Sequence, residues 1–233
     1  MTQPLLIVCL WQRLHNLPKI LAALENQTDP NFSFLLWNNN YAIRSQVGDI
    51  CAQSRLSNFQ IVHWKENIYG YARFIAGKKT KGNPIIFFDD DQFPHTDFIS
   101  YMVGCHKQYG ARYLCSWWGR RIREELGYWR SPMAVPGQFM NYSGTGGMVF
   151  DRMLLDDTDI VETWPDKYKS SCQDIWFSCI VYRKLRILGI CVEKRLDHFP
   201  DKFDTYKKPN MFLHKESVVK RLFKMGGYFG KLA

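Results

Sequence analysis

The chain has 233 residues, 46% of them hydrophobic and 23% charged, with a formal net charge of +9. These figures suit one large globular α/β domain, and no apolar stretch reaches the length of a membrane span. The basic balance favours an anionic partner, whether nucleic acid, a membrane surface or a phosphorylated small molecule.

Leu5 to Leu10, LLIVCL, is a continuous apolar run of the kind a strand buried on both faces requires. Asn16 precedes LPKILAALENQ, in which Leu17, Ile20, Leu21 and Leu24 recur at helical spacing. Pro18 falls in the first helical turn, where its missing donor costs little. NFSFLLWNNN reads as a second strand ending in three asparagines, residues 42–53 as a helix, and FQIVHW as a third strand. NIYGYARFIAGKKTKG is a loop running into a helix closed by Gly82, and PIIFFD is the fourth strand. The first hundred residues therefore predict β-α-β-α-β-α-β, with helices long enough for parallel crossovers. Ligands of such sheets bind beyond the carboxyl ends of the strands, where Asn38 to Asn40 and Asp89 to Asp91 fall.

The second half is less regular. Residues 96–109 read as a helix, RYLCSWW as a strand, and residues 119–142 as a long loop rich in Arg, Gly and Pro. GTGGMVF is a glycine turn entering a strand, residues 171–184 are a helix, and RILGICVE is a last strand. Residues 213–233 form a basic, weakly amphipathic tail that docks on the domain, touches a membrane surface or leads elsewhere. The expected organisation is one domain over 1–212, with a nucleotide-binding half (1–95) and an acceptor and catalytic half (96–212).

The 7 cysteines are scattered without metal-site spacing, several inside apolar runs, and read as buried thiols of a reducing compartment. Met1 to Pro4 carries no positive cluster, so a cytoplasmic enzyme or binding protein is expected. Aromatic residues make up 15% of the chain, enough to build a core and also to stack on a sugar or a base.

PIIFFDDDQFP, residues 84–94, raises the functional question. Adjacent carboxylates repel and are costly to desolvate, so they either point into water or hold a cation. Strand alternation would send Asp89 and Asp91 to one side and Asp90 to the other. Two carboxylates on one side suit a hard divalent ion, Mg²⁺ or Mn²⁺, with phosphate oxygens in its open positions. A strand ending in Asp-x-Asp also opens phosphohydrolases of the haloacid dehalogenase type, although three strands precede this one. A basic nucleic-acid-binding protein is the third reading, but the cations are dispersed rather than clustered on one face, and no specific nucleic acid is expected.

LIVCLWQRLHNLPKILAALENQT, ENIYGYARFIAG, IIFFDDD and SCQDIWFS occur in that order. In that order they resemble the conserved segments of family 2 glycosyltransferases of the GT-A fold. The resemblance implies a single GT-A (Rossmann-like) α/β domain, with a mostly parallel central sheet flanked by helices. It also implies a metal-dependent, inverting transfer of sugar from a nucleoside-diphosphate sugar to a hydroxyl of a glycan, lipid or protein. Asp91, Asp89 and His198 would hold the metal, with Asp89 and Asp90 near the donor and His214 a competitor for the imidazole role. Trp11, Arg13, Asn38, Asn39, Asn67 and Arg73 would line the nucleotide, with Gly70 shaping the same turn. Asp174 would be the catalytic base, a role that competes with simple stabilisation of a helix N-terminus. Gly144, Gly146 and Gly147 would allow close approach of sugar or acceptor, and Trp117 and Trp118 would stack on it, although one of the two belongs in the core. Two departures stand out: WNNN replaces the family's aspartates after the second strand, and Gln173 stands where a glutamate is common.

Overall fold

The computed structural model describes residues 2–162, 172–199 and 209–226. The apolar runs and helical spacings of the first half become β1 (Leu5–Leu10), α1 (Leu17–Glu25), β2 (Ser33–Asn38), α2 (Arg44–Cys51), β3 (Phe59–His63), α3 (Ala72–Lys79) and β4 (Ile85–Asp89). The alternation thus follows the sequence pattern element by element. Beyond it come β5 (Gln92–Pro94), α4 (Phe98–Tyr109), β6 (Tyr113–Ser116), β7 (Gly119–Arg120), α5 (Gly127–Arg130), β8 (Phe139–Met140), β9 (Tyr142–Ser143) and β10 (Met148–Phe150). The chain continues through α6 (Met153–Asp157), α7 (Gln173–Leu185), β11 (Leu188–Cys191), β12 (Leu196–His198) and α8 (Pro209–Lys224).

Eight strands form one sheet in the order β3-β2-β1-β4-β10-β6-β11-β8. The pairs β3–β2, β2–β1, β1–β4 and β6–β11 are parallel, while β10 runs antiparallel to both neighbours and β8 antiparallel to β11. One sheet thus crosses the expected division at residue 95. Successive strand residues alternate between two cores, as a sheet covered on both faces requires. Leu5, Ile7, Ile85 and Phe87 pack toward α3, α6, α7 and α8, whereas Leu6, Val8, Ile86 and Phe88 pack toward α1, α2 and α4. Phe87 meets Phe74 and Phe150 edge-on at 5.4 and 5.1 Å, the preferred aromatic geometry.

Three sequence expectations change. The strand of RYLCSWW stops at Ser116, whose hydroxyl donates to the Trp118 and Gly144 carbonyls and turns the chain before both tryptophans. The loop 119–142 is pinned from within, with the Arg120 guanidinium bonded to the Ser131 carbonyl (2.7 Å) and lying over the Tyr128 ring. Residues 213–224 of the tail belong to a helix that starts at Pro209 and buries Val218, Val219 and Leu222, and residues 227–233 lie outside the described residues. Among the described residues no helix is long and apolar enough to cross a membrane.

Candidate active site

The acidic turn is built where β4 ends. Asp89 is its last residue, and its amide donates to Gln92 Oε1 at 2.8 Å, closing a tight link into β5. Because extended backbone stops there, strand alternation does not govern the next two side chains. Asp90 and Asp91 both reach Arg13, and Asp89 turns to Arg73. The expected grouping of Asp89 with Asp91 is therefore replaced by one of Asp90 with Asp91.

Each carboxylate has a cationic partner. Asp89 Oδ1 lies 2.7 Å from Arg73 Nη2, and Arg73 is 4% exposed on the buried side of α3. Asp90 Oδ1 lies 2.8 Å from Arg13 Nη1, its Oδ2 accepts from the Trp11 amide, and its carbonyl accepts from Asn16 Nδ2. Asp91 Oδ2 faces Arg13 Nη2 at 3.2 Å and His198 Nε2 at 3.6 Å. Burial raises the pKa of Asp90, and the Arg13 charge pulls against that rise. Burial is the largest influence on Arg73 and works against its charge, but Asp89 and Cys9 together outweigh it and hold the guanidinium above its ordinary value. The neighbouring Cys9 thiol is pushed up to about 11 by burial, so it is not an activated nucleophile.

His198 arrives through a strand pairing. β12 runs antiparallel to β5 with His198 opposite Gln92, and the Phe199 amide donates to the Asp91 carbonyl. Ligands placed cis on an octahedral ion at about 2.0–2.1 Å stand about 3 Å apart, close to the Asp91–His198 separation. Mg²⁺ and Mn²⁺ are commonly held by one or two side chains plus substrate phosphates, so this pair fits such an ion. Asp89 does not complete it, being drawn to Arg73, and no group of three His, Cys, Asp or Glu side chains suited to a metal occurs among the described residues.

Beside the acidic turn Trp11 is 37% exposed, and Asn40 Nδ2 donates to its carbonyl. Asn38 and Asn39 are buried and hold backbone. Asn38 binds both backbone groups of Asn40 and contacts His63, while Asn39 binds the Tyr69 carbonyl and the Ile68 amide. The half-buried Asn40 is thus the asparagine of the WNNN run that lies next to Trp11. Asn67 accepts from the Tyr69 amide and shapes a turn in which Tyr69 takes φ 55°. A Cβ on Gly70 would lie 2.4 Å from Gln173 Nε2, so the missing side chain lets this turn touch the start of α7.

The segment 142–147 joins the acidic turn to that helix. Arg73 Nη1 donates to the Thr145 carbonyl, and a Cβ on Gly146 would lie 2.7 Å from Asp89 Oδ2. Gly147 takes φ 79° against Trp117, and Gly144 packs on Trp118. Both tryptophans are half-buried, Trp118 against one core, meeting Tyr142 edge-on at 5.5 Å, and Trp117 against the other, beneath Lys194. At the other end the Ser143 amide donates to Ser178 Oγ, and Tyr142 Oη donates to Asp174 Oδ2 at 2.5 Å. Asp174 is the second residue of α7, after Cys172 at φ 73°; the expected start at Ser171 lies outside the described residues. Its Oδ1 accepts from the Ile175 amide, and Lys215 Nζ of α8 stands 3.9 Å from Oδ2. His214, the rival imidazole, is on α8.

The family model described as Glycosyl transferase family 2 matches residues 5–165, more than half of the chain. The chain belongs to glycosyltransferase family 2. This membership decides for a glycosyltransferase over the phosphohydrolase and nucleic-acid readings. The match takes in the acidic turn and Arg73 but ends before Asp174 and His198. Solved structures similar to this glycosyltransferase include S. aureus TarS 1-349 in complex with UDP-GlcNAc, at 17% identity and TM-score 0.65 over 87% of this chain and 60% of that one. The same protein in complex with UDP gives 18% and 0.62 over 83% and 59%, and S. aureus TarS gives 18% and 0.62 over 83% and 36%. The chain spans 60% or less of each of these TarS chains. At these identities the likeness speaks for the GT-A fold. No curated protein gives a match.

Proposed function

We propose that this glycosyltransferase takes its sugar from a UDP-linked donor held at Asp89–Asp91 and passes it, with inversion, to a hydroxyl of a glycan, lipid or protein. The observation that carries this reading is the convergence of Asp91, His198 and Arg13 at the carboxyl ends of the parallel strands, with segment 142–147 linking that turn to Asp174. The UDP-GlcNAc and UDP complexes of TarS, on the same fold, support a uridine donor.

Asp91 and His198 would hold Mn²⁺ or Mg²⁺, which would supply positive charge to the donor diphosphate. The chain's own residues do the rest. Arg13 and Arg73 keep the acidic turn neutralised and rigid, so the donor meets a prearranged field rather than a mobile loop. Trp11 offers an exposed ring face for the base. Asp174 accepts the acceptor proton while the acceptor oxygen bonds to the anomeric carbon. The bond to the β-phosphate oxygen breaks, and the nucleoside diphosphate leaves with the electron pair.

Nucleotide release from a panel of UDP-, GDP- and dTDP-sugars tests this reading, with and without glycan, lipid and peptide acceptors. A UDP-sugar is expected to turn over, and Asp174→Asn to lower kcat by about 10²–10⁴. Turnover restricted to another base would overturn the donor assignment, a fully active Asp174→Asn would overturn the base, and a product retaining the donor's anomeric configuration would overturn inversion.

A further inference from the structure

We infer that α8 is part of the catalytic end of this enzyme, with Lys215 acting as a positioning residue that pairs with the Asp174 carboxylate and holds it oriented toward the acceptor. The inference rests on the reading of Asp174 as the base. Lys215 Nζ lies 3.9 Å from Asp174 Oδ2, and their side chains are 16% and 12% exposed. A cation at this distance in a partly dehydrated site attracts the carboxylate and limits how far it can turn.

The surroundings fix both partners. Tyr142 Oη and the Ile175 amide each take one lone pair of a different carboxylate oxygen, which leaves each oxygen a further acceptor position. The ammonium also lies 5.3 Å over the Tyr128 ring. The titratable groups facing this pair are Tyr128 of α5, Tyr142 of β9, Cys179 of α7 and Cys172 before it. Burial works against the Lys215 charge, but Asp174 and then Tyr128 outweigh it and hold the ammonium above its usual pKa. Burial, reinforced by Asp174, holds the Tyr142 proton in place.

Lys215 is held in place because α8 is fastened in the residues that follow it. Glu216 accepts from the Tyr128 amide at 2.8 Å, and Gly127 has no room for a side chain beside that carboxylate. Val218, Val219 and Leu222 anchor the following turns in the core. This helix follows the stretch matched by the family model.

The test compares wild type with Lys215→Met, Lys215→Arg and Asp174→Asn by kcat and KM measured separately, with UDP affinity and thermal midpoint measured on each. In Lys215→Met kcat is expected to fall about tenfold while KM stays near that of the wild type. UDP affinity is expected to be unchanged, and Lys215→Arg to restore kcat. Should Lys215→Met not fold, Lys215→Gln carries the same comparison. An unchanged kcat in the charge-removing variant, or a fall that Lys215→Arg does not rescue, overturns the role of Lys215 and leaves an inactive Asp174→Asn to support the base. An active Asp174→Asn overturns the base itself and the inference with it.

Discussion

The pairing of Arg73 with Asp89 gives the sharpest energetic prediction. Arg73 is 5% exposed at its side chain and Asp89 38% exposed, so the two ends of one 2.7 Å ion pair sit in different media. Asp89→Asn strands a buried guanidinium that cannot shed its proton, and losing one partner of a buried pair costs about 3 kcal/mol or more. Arg73→Met strands the carboxylate, which water already reaches, so the loss is discounted to about 1 kcal/mol. For a domain of this size each kcal/mol moves the midpoint by about 2–4 °C, so Asp89→Asn is expected to lower Tm by about 6–12 °C and Arg73→Met by about 2–4 °C. The double variant is expected to lose less than the sum of the two single losses, because neither charge is then stranded. Urea unfolding and thermal melts of the four proteins measure this directly. Equal costs for the single variants, or additivity in the double, would refute the argument that the arginines neutralise the acidic turn.

Other consequences follow from individual contacts. Gly146→Ala puts a methyl 2.7 Å from Asp89 Oδ2 and 2.6 Å from Gln92 Nε2, so nucleotide affinity is expected to fall about tenfold or more in a calorimetric titration while the protein stays folded. Asn39→Ala frees the loop held at Ile68 and Tyr69 and is expected to cost about 1–2 kcal/mol in urea unfolding. The Glu25 pKa is lowered, first by the Arg55 amide and then by Ser54, so its stabilisation is present above the ordinary value of 4.5 and is lost as pH falls through the lower folded value. Glu25→Gln is therefore expected to be about 1 kcal/mol less stable than wild type at pH 7, with the difference vanishing in acid.

The first hundred residues were legible because their signals are local. LLIVCL and IIFFD are buried on both faces, and Leu17, Ile20, Leu21 and Leu24 keep helical spacing, so periodicity alone places β1, α1 and β4. The second half was less so because long-range contacts decide it. β5 and β12 are three-residue strands that exist by pairing with each other, yet that pairing brings His198 to Asp91. The residues around the acidic turn divide in the same way. Three consecutive aspartates announce a charged site, but nothing local says that Asp90 belongs with Asp91, since that depends on where β4 stops and on Arg13 reaching both. Gln92 and Asn16 carry no motif, and each acts through one hydrogen bond to that turn. Tyr142 and Lys215 approach Asp174 from distant positions in the chain, and no spacing rule connects them.

Whether Asp91 and His198 anchor the donor through a metal ion is decided by calorimetric binding of UDP with and without Mn²⁺ to wild type, Asp91→Ala and His198→Ala. Mn²⁺ is expected to tighten UDP binding to the wild type and to have no such effect in either variant. UDP binding of equal strength in all three proteins, indifferent to Mn²⁺, would overturn the anchor.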